Sequence, residues 1–417
     1  MALPNAFRSL RNRNYRRYFI GQVISLCGTW AQNIGLGWLV LELSDDSGVA
    51  IGVVTAMQFV PVLLFGLWAG LLADRFDKQR FIVATQVALA VLAGVLAFVD
   101  LVGVVNLPMV YGLAFLFGVA TACDTPARLS FVVEMVGPED LPNALALNSA
   151  VVNAGRIIGP GIAGFVILTG GTGLCFVINA LSYVGTIIAV TSMRKGDLQQ
   201  PTPVARGKGQ VRAGLRYTWA TPLLRADMLL VACVSLVAFN FPVVLPLLAK
   251  VTFDGDAGTY SLTASAMGVG AFASALVLAS LGRPYGRRLV IAFLVLAVTM
   301  CMAAASPNLG VLLVLLTVIG AGQVIAASSA NAMVQLDADP AMRGRVTAIF
   351  SLTTQGVTPF GGVLAGAVAQ LAGPRWAMGM GGIGALVAVV VFGGLLLRDH
   401  AQAPHRRPRP VEPAAVA

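Results

Sequence analysis

Gly70-Leu-Leu-Ala-Asp-Arg-Phe-Asp-Lys-Gln-Arg80 sets five charges, Asp74, Arg75, Asp77, Lys78 and Arg80, between two uncharged runs, 47–73 and 81–99. A bilayer crossing takes about 20 apolar residues, so each run is long enough to span a membrane. The segment between them is too short to fold alone, and it therefore joins two membrane helices on one side.

Working outward, charges partition the rest of the chain in the same way. Further uncharged runs cover 18–41, 101–123, 157–193, 228–249, 257–282, 289–336, 346–374 and 376–397. Runs 157–193 and 289–336 exceed one span, and each holds a turn, Thr-Gly-Gly-Thr-Gly at 169–173 and Ser-Pro-Asn-Leu-Gly at 306–310. The total is twelve spans, an all-α integral membrane protein. Of the 417 residues, 57% are hydrophobic and 11% charged, against about 25% in soluble domains, which excludes an ordinary soluble enzyme or binding module.

Lys and Arg set the orientation, because translocating a base is disfavoured. With the N-terminus inside, only Lys250 and Arg375 among the 28 bases fall outside and Arg156 falls within a span. Both termini are thus expected in the cytoplasm, in a multi-pass protein of the cell membrane. The net charge of +10 follows from this bias and from attraction to anionic lipid headgroups, and no nucleic-acid site is read from it. Basic residues 8–17 lead into an apolar run too long for a cleaved signal peptide.

The five cysteines are single and lie in spans, and the two histidines lie in the Pro- and Arg-rich tail. Neither a disulfide framework, a metal site nor a cofactor is indicated. A membrane enzyme has almost nothing to work with. The expected organisation is a cytoplasmic arm (1–17), a six-helix bundle (18–193), a cytoplasmic linker (194–222), a second six-helix bundle (223–397) and a disordered tail (398–417).

Polar residues inside spans mark the candidate site, since in lipid they must face a cavity or a neighbour. In the first span Gln22, Ser25, Thr29, Gln32 and Asn33 recur at helical spacing on one face. The face fits either a substrate cavity or hydrogen bonding between helices. The third span, with only Thr85 and Gln86, reads as lipid-facing. Near the end of the fourth, Thr121, Asp124, Thr125 and Arg128 share a face. Asp124 fits a proton or cation site with Arg128 as its partner, or a helix cap before Pro126.

Residues 131–147 read as an intracellular connector. The fifth span then carries Asn153 and Arg156, and Gly155, Gly159 and Ala163 form a small-residue ridge for close helix contact, with Pro160 bending the helix and Gly164 following. An arginine at a span's centre costs about 2.5–3.5 kcal/mol, so Arg156 needs a partner or a wet cavity. Its depth differs from that of Asp124 by about 8–14 Å, which disfavours a direct pair. Arg156 is therefore assigned to polar neighbours or a substrate anion. The second half offers Asn240 in the seventh span and Asn331 in the tenth. It repeats the first half weakly: Pro-Tyr-Gly-Arg-Arg (284–288) stands where 70–80 stood, and Pro359 where Pro160 stood.

The 70–80 segment resembles the signature loop of the major facilitator superfamily, Gly-x-Leu-Ala-Asp-Arg-x-Gly-Arg-Arg-Arg, departing at Asp77 and Gln79. The glycine-proline segment from Gly155 to Gly164 is similar to the antiporter motif of drug-exporting facilitators, with Ala163 in place of one glycine. The arm Phe7-Arg-Ser-Leu-Arg-Asn-Arg-Asn-Tyr15, Gly21-Gln22 with Ser25 and Gly28-Thr-Trp30, Pro126-Ala-Arg128 and Asp140-Leu-Pro-Asn-Ala144 resemble the enterobactin-exporter-like branch. The resemblance covers 1 to about 397 and implies two pseudo-symmetric six-helix bundles in a prokaryotic inner membrane. Helices 1, 4, 7 and 10 would line the cavity. In the signature loop, Gly70, Asp74, Arg75, Lys78 and Arg80 would form a latch, with a carboxylate docking on the N-terminus of a helix of the other bundle. The alternative is a loop that serves topology alone.

Three functions compete. The first is a secondary transporter exporting an amphipathic drug or siderophore-like molecule in exchange for protons, by alternating access and as a monomer. The others are an uncoupled facilitator or importer and a membrane sensor that transports nothing.

Overall fold

The computed structural model describes residues 5–73, 75–199, 210–280, 286–340 and 342–402. The N-terminal half consists of α1 (Arg13–Leu43), α2 (Gly48–Ala73), α3 (Lys78–Leu101), α4 (Leu107–Gly170) and α5 (Thr172–Thr191). Helix α6 (Gln210–Ala220) precedes the C-terminal half, which contains α7 (Pro222–Val237), α8 (Phe241–Leu247), α9 (Ala257–Ser280), α10 (Gly286–Ala304), α11 (Leu309–Asp337), α12 (Arg343–Gly356), α13 (Thr358–Ala372) and α14 (Pro374–Gln402).

These helices make twelve spans. Helix α4 is two spans in one, merged across Gly137, whose φ of 74° is open to glycine and strained for other residues. The seventh span is α7, a break at 238–240, α8 and a π-helical turn at Leu248–Thr252, and the eleventh is α12 and α13. The connector expected at 131–147 is absent. The fourth span continues past Pro126 to 136 and the fifth starts at Pro138, because proline at a first helical position loses no hydrogen bond.

Pseudo-symmetry shows in the caps. Asn106 starts the fourth span by accepting from the Met109 amide at 3.0 Å, and Asn308 starts the tenth by accepting from Val311 at 3.0 Å. Gly171 and Gly373 end the fifth and eleventh spans alike. Symmetry fails at the prolines: α4 stays helical through Pro160, whereas Pro359 opens α13 after a break at Val357. Helix α14 extends to Gln402, so the tail expected from 398 is helical at its start, and 403–417 lie outside the described residues.

The N-terminal arm packs on the joint between the fourth and fifth spans. Arg8 pairs with Asp140, Ser9 Oγ donates to Asn143 Oδ1 at 2.7 Å, and the Tyr15 hydroxyl donates to the Ala144 carbonyl at 2.8 Å. Two segments that carry the family resemblance thereby touch.

One face of the molecule carries Arg13 and Gln402, and the far face carries Leu43, Gly171 and Gly373. The two halves meet towards the far face through backbone contacts that only small residues permit. A Cβ on Gly48 would meet the Gly366 carbonyl at 2.6 Å, and one on Gly52 the Gly362 carbonyl at 2.7 Å. Across the fifth span and α9, a Cβ on Gly164 would strike Ser261 at 2.7 Å. Lys250 Nζ lies 2.7 Å from Asp46 Oδ1 and 5.2 Å from the Trp38 ring centroid, and the Gly48 amide donates to Gln370 Oε1 at 2.8 Å. Towards the near face, Trp68 of α2 and Leu276 of α9 are 73% and 59% exposed.

Candidate functional site

The N-terminal bundle encloses a charged network. Asp124, 5% exposed in mid-helix, accepts from Thr85 Oγ1 at 2.7 Å, Gln86 Nε2 at 3.0 Å and Arg128 Nη1 at 3.2 Å. Arg128 also donates through Nη2 to Gln22 Oε1 and lies against Tyr18. The helix-cap reading of Asp124 falls, because the helix runs on through Pro126 to 136. The third span is not simply lipid-facing either, since Thr85 and Gln86 are buried against Asp124.

The polar face of α1 points largely into its own bundle. Gln32 Oε1 accepts from Asn179 Nδ2 of α5 at 2.7 Å, and Thr29 Oγ1 donates to the Ser25 carbonyl at 2.9 Å. Ser25 is buried and Asn33 exposed. Gly28 allows α5 this close, since a Cβ there would meet Ser182 Oγ at 2.5 Å.

Arg156 stands at the seam between the bundles. The guanidinium carbon lies 5.4 Å from the Trp30 ring centroid, Nε is buried without a hydrogen-bond partner, and among the described residues no carboxylate lies within ion-pair distance. Its backbone carbonyl abuts Gly268 of α9, and the next carbonyl, of Ile157, accepts from Ser265 Oγ at 3.2 Å. Gly155 and Gly159 admit Trp30: a Cβ would meet its side chain at 2.9 and 2.3 Å. Gly164 serves the contact with α9, and Pro160 is buried. Asn153 turns back on its own helix, donating to the Ser149 carbonyl at 2.8 Å.

In the second half, Asn240 occupies the break between α7 and α8. Nδ2 donates to the Leu236 carbonyl at 2.8 Å, while Oδ1 is buried and unpartnered. Asn331 accepts from Gln335 Nε2 at 3.2 Å.

Of the signature loop, Asp74 lies outside the described residues, as does the Gly70 side-chain environment; so do residues 284 and 285 of the corresponding second-half loop. Lys78 Nζ lies 2.6 Å from Glu134 Oε1 of the fourth span, both largely buried. Arg75 and Arg80 are exposed. Asp77, where the family pattern has glycine, caps α3 by accepting from the Arg80 amide at 3.0 Å.

Sequence reasoning missed Asn179, Tyr18 and, in α7, Asp227. Asp227 is 3% exposed and neither carboxyl oxygen has a hydrogen-bond partner. The signal was its place after Arg225, within a predominantly apolar helix.

The chain is similar over much of its length to known transporters. It is 22% identical to the staphyloferrin A transporter of Staphylococcus aureus, over 90% of this chain and 94% of that protein. It is 29% identical to the multidrug efflux pump Tap of Mycolicibacterium fortuitum, over 82% and 85%. Among solved structures, an inward-facing, occupied bacterial homologue of the lysosomal transporter Spinster superposes with a TM-score of 0.74 at 14% identity, over 94% of this chain and 98% of that one. The peptide-transporter-family structure PepTSo gives 0.74 at 13%, over 95% and 99%. The model of the transmembrane secretion effector family matches residues 4–414. With that match on a twelve-span, two-bundle fold, this chain belongs to the transmembrane secretion effector family of the major facilitator superfamily, and it is a membrane transporter and not an enzyme.

Proposed function

We propose that the chain exports an amphipathic small organic molecule of the drug or siderophore class in exchange for protons, by alternating access. The observation that carries this reading is Arg156 over Trp30. An unpaired cation and an aromatic face at the seam of two bundles fit a ligand with an acidic group on an apolar body. Relatives named for multidrug efflux and for staphyloferrin A support the substrate class. For the coupling ion, Asp124 and Arg128 supply a sealed acid-base pair in the transport domain.

The near face, rich in Lys and Arg, is assigned to the cytoplasm with both termini, and the linker 194–222 lets the bundles rock. Closure at the far face then corresponds to the state that loads from inside. The second reading, an uncoupled facilitator or importer, is favoured by the pairing of Asp124 itself: a carboxylate that accepts from Thr85, Gln86 and Arg128 also fits a structural brace between helices.

Expression in a host stripped of its efflux pumps, with a broad panel of drugs and siderophores, tests the proposal. The expected result is lower cellular accumulation of at least one amphipathic acid, lost in Arg156→Ala. Raised accumulation would establish import, and no effect across the panel in a correctly inserted protein would overturn the substrate assignment.

A further inference from the structure

Asp227 is a carboxyl group that the site described so far does not use. It lies in the first half of α7, towards the near face, between the buried residues Ala226 and Met228. Helices α6, α11, α12, α13 and α14 pack against α7, and their charges decide what Asp227 meets. The charge acting on it is Asp337, an acid at the end of α11. Arg212 and Arg216 of α6, Arg343 and Arg345 of α12 and Arg225 of α7 itself make no ion pair with it; α13 carries no charge, and the side chains of Arg398 and Asp399 at the end of α14 lie outside the described residues.

Asp124 shows what a paired acid has around it in this protein: an arginine and two neutral donors within 3.2 Å. Asp227 has none of them. An isolated charge in such surroundings is removed rather than tolerated, and the group that removes it is a proton. A metal cation is a poor occupant, because hard cations need about six oxygen ligands and among the described residues no acidic cluster is present.

We propose that Asp227 is a second proton-exchange site, in the C-terminal bundle, which takes up a proton when the far face is open, holds it in the state seen here and releases it to near-face water before substrate is carried outward. Nothing but the proton moves: the carboxyl O–H bond breaks, the carboxylate keeps the pair, and water carries the proton away. The role rests on the proton-coupled reading above, and it adds an acid of the C-terminal half to the Asp124–Arg128 pair of the N-terminal half.

The test uses the full chain in proteoliposomes with two readouts. Infrared pH-difference spectra, taken without substrate, should show a titrating, deuterium-sensitive carbonyl band of a protonated carboxyl that vanishes in Asp227→Asn and survives in Asp124→Asn. With a substrate from the panel and a gradient of one pH unit, Asp227→Asn should lower the accumulation ratio by about tenfold, the contribution of one exchanged proton, while equilibrium exchange continues. If Asp227→Asn removes no carbonyl band the inference is overturned, as it is if the variant loses the band yet accumulates substrate like wild type. If the wild type itself responds to no pH gradient, the coupled-export reading falls and this role falls with it. Asparagine resembles the neutral acid in shape and charge, so failure to fold would also contradict the proposal.

Discussion

The two bundles treat buried polar groups differently. In the N-terminal half, charges come in pairs: Arg8 with Asp140, Lys78 with Glu134, Arg128 with Asp124. In the C-terminal half, both Asp227 oxygens, Ser235 Oγ, Asn240 Oδ1, Ser261 Oγ, Gln323 Oε1 and Ser329 Oγ are buried without hydrogen-bond partners, whereas among the described residues the N-terminal half has fewer such atoms, Gln79 Oε1, Gln86 Oε1 and Arg156 Nε among them. The C-terminal half also contains the broken spans at 238–240 and Val357. One half is braced by ion pairs, and the other holds a buried acid with no partner among the described residues. Arg156, unpaired although it belongs to the first bundle, faces the second across the seam.

The sharpest way to break this contrast is to neutralise an acid in each half. Asp124→Asn leaves Arg128 unbalanced in a largely buried place and should destabilise the fold by about 3–5 kcal/mol, whereas Asp227→Asn should match or exceed the wild-type thermal midpoint in detergent. Asp124→Asn should also lower uphill accumulation while sparing counterflow. Equal thermal losses in the two variants would erase the distinction between the halves.

Next comes the signature loop. If Asp74 docks on the start of α12, which begins behind Met342 without a side-chain cap, the contact contributes about 0.3–2 kcal/mol. Asp74→Asn should then favour the near-face-open state by up to about thirtyfold, read as cysteine accessibility at Ser25 and at Asn331. Unchanged accessibility would reduce the loop to a topological signal.

A smaller effect is expected at the seam. Arg156→Lys should weaken binding of acidic substrates by at least about tenfold, since hydrogen bonds to charged groups contribute about 1.5–3 kcal/mol and an ammonium lacks the planar fork. Full affinity with lysine would make Arg156 a structural charge. The smallest effect belongs to Lys250 and Asp46, a partly exposed pair across the far face. Lys250→Gln should favour far-face opening by no more than about fivefold, seen as faster labelling from that side of a cysteine placed at Ser261.

The spans were legible because charges are rare enough to punctuate the chain. The joint at Gly137 was not: Pro138, Glu139, Asp140 and Pro142 look like a loop, yet proline and acids are well placed in a helix's first turns, and a single residue in the left-handed region is enough to turn the chain. The face of α1 was visible as a periodicity, but spacing alone could not say whether it looks into a cavity or towards Asn179 and Arg128. Thr85 and Gln86 were read as breaks in a lipid-facing span, and Asn179 was missed, because one or two polar residues in an apolar span define no face. Asp227 was hidden beside Arg225, where an acid reads as the edge of a basic linker.

Proton flux measured without any imposed pH gradient tests the central claim most directly. The full chain is reconstituted in vesicles loaded with a pH indicator, and a substrate gradient is the only driving force. The account predicts that substrate leaving through the transporter drives protons the opposite way, that Asp124→Asn and Asp227→Asn each move fewer protons per substrate molecule, and that the double variant carries substrate with no proton movement. Substrate movement by the wild type with no accompanying proton flux would contradict it and establish an uncoupled facilitator.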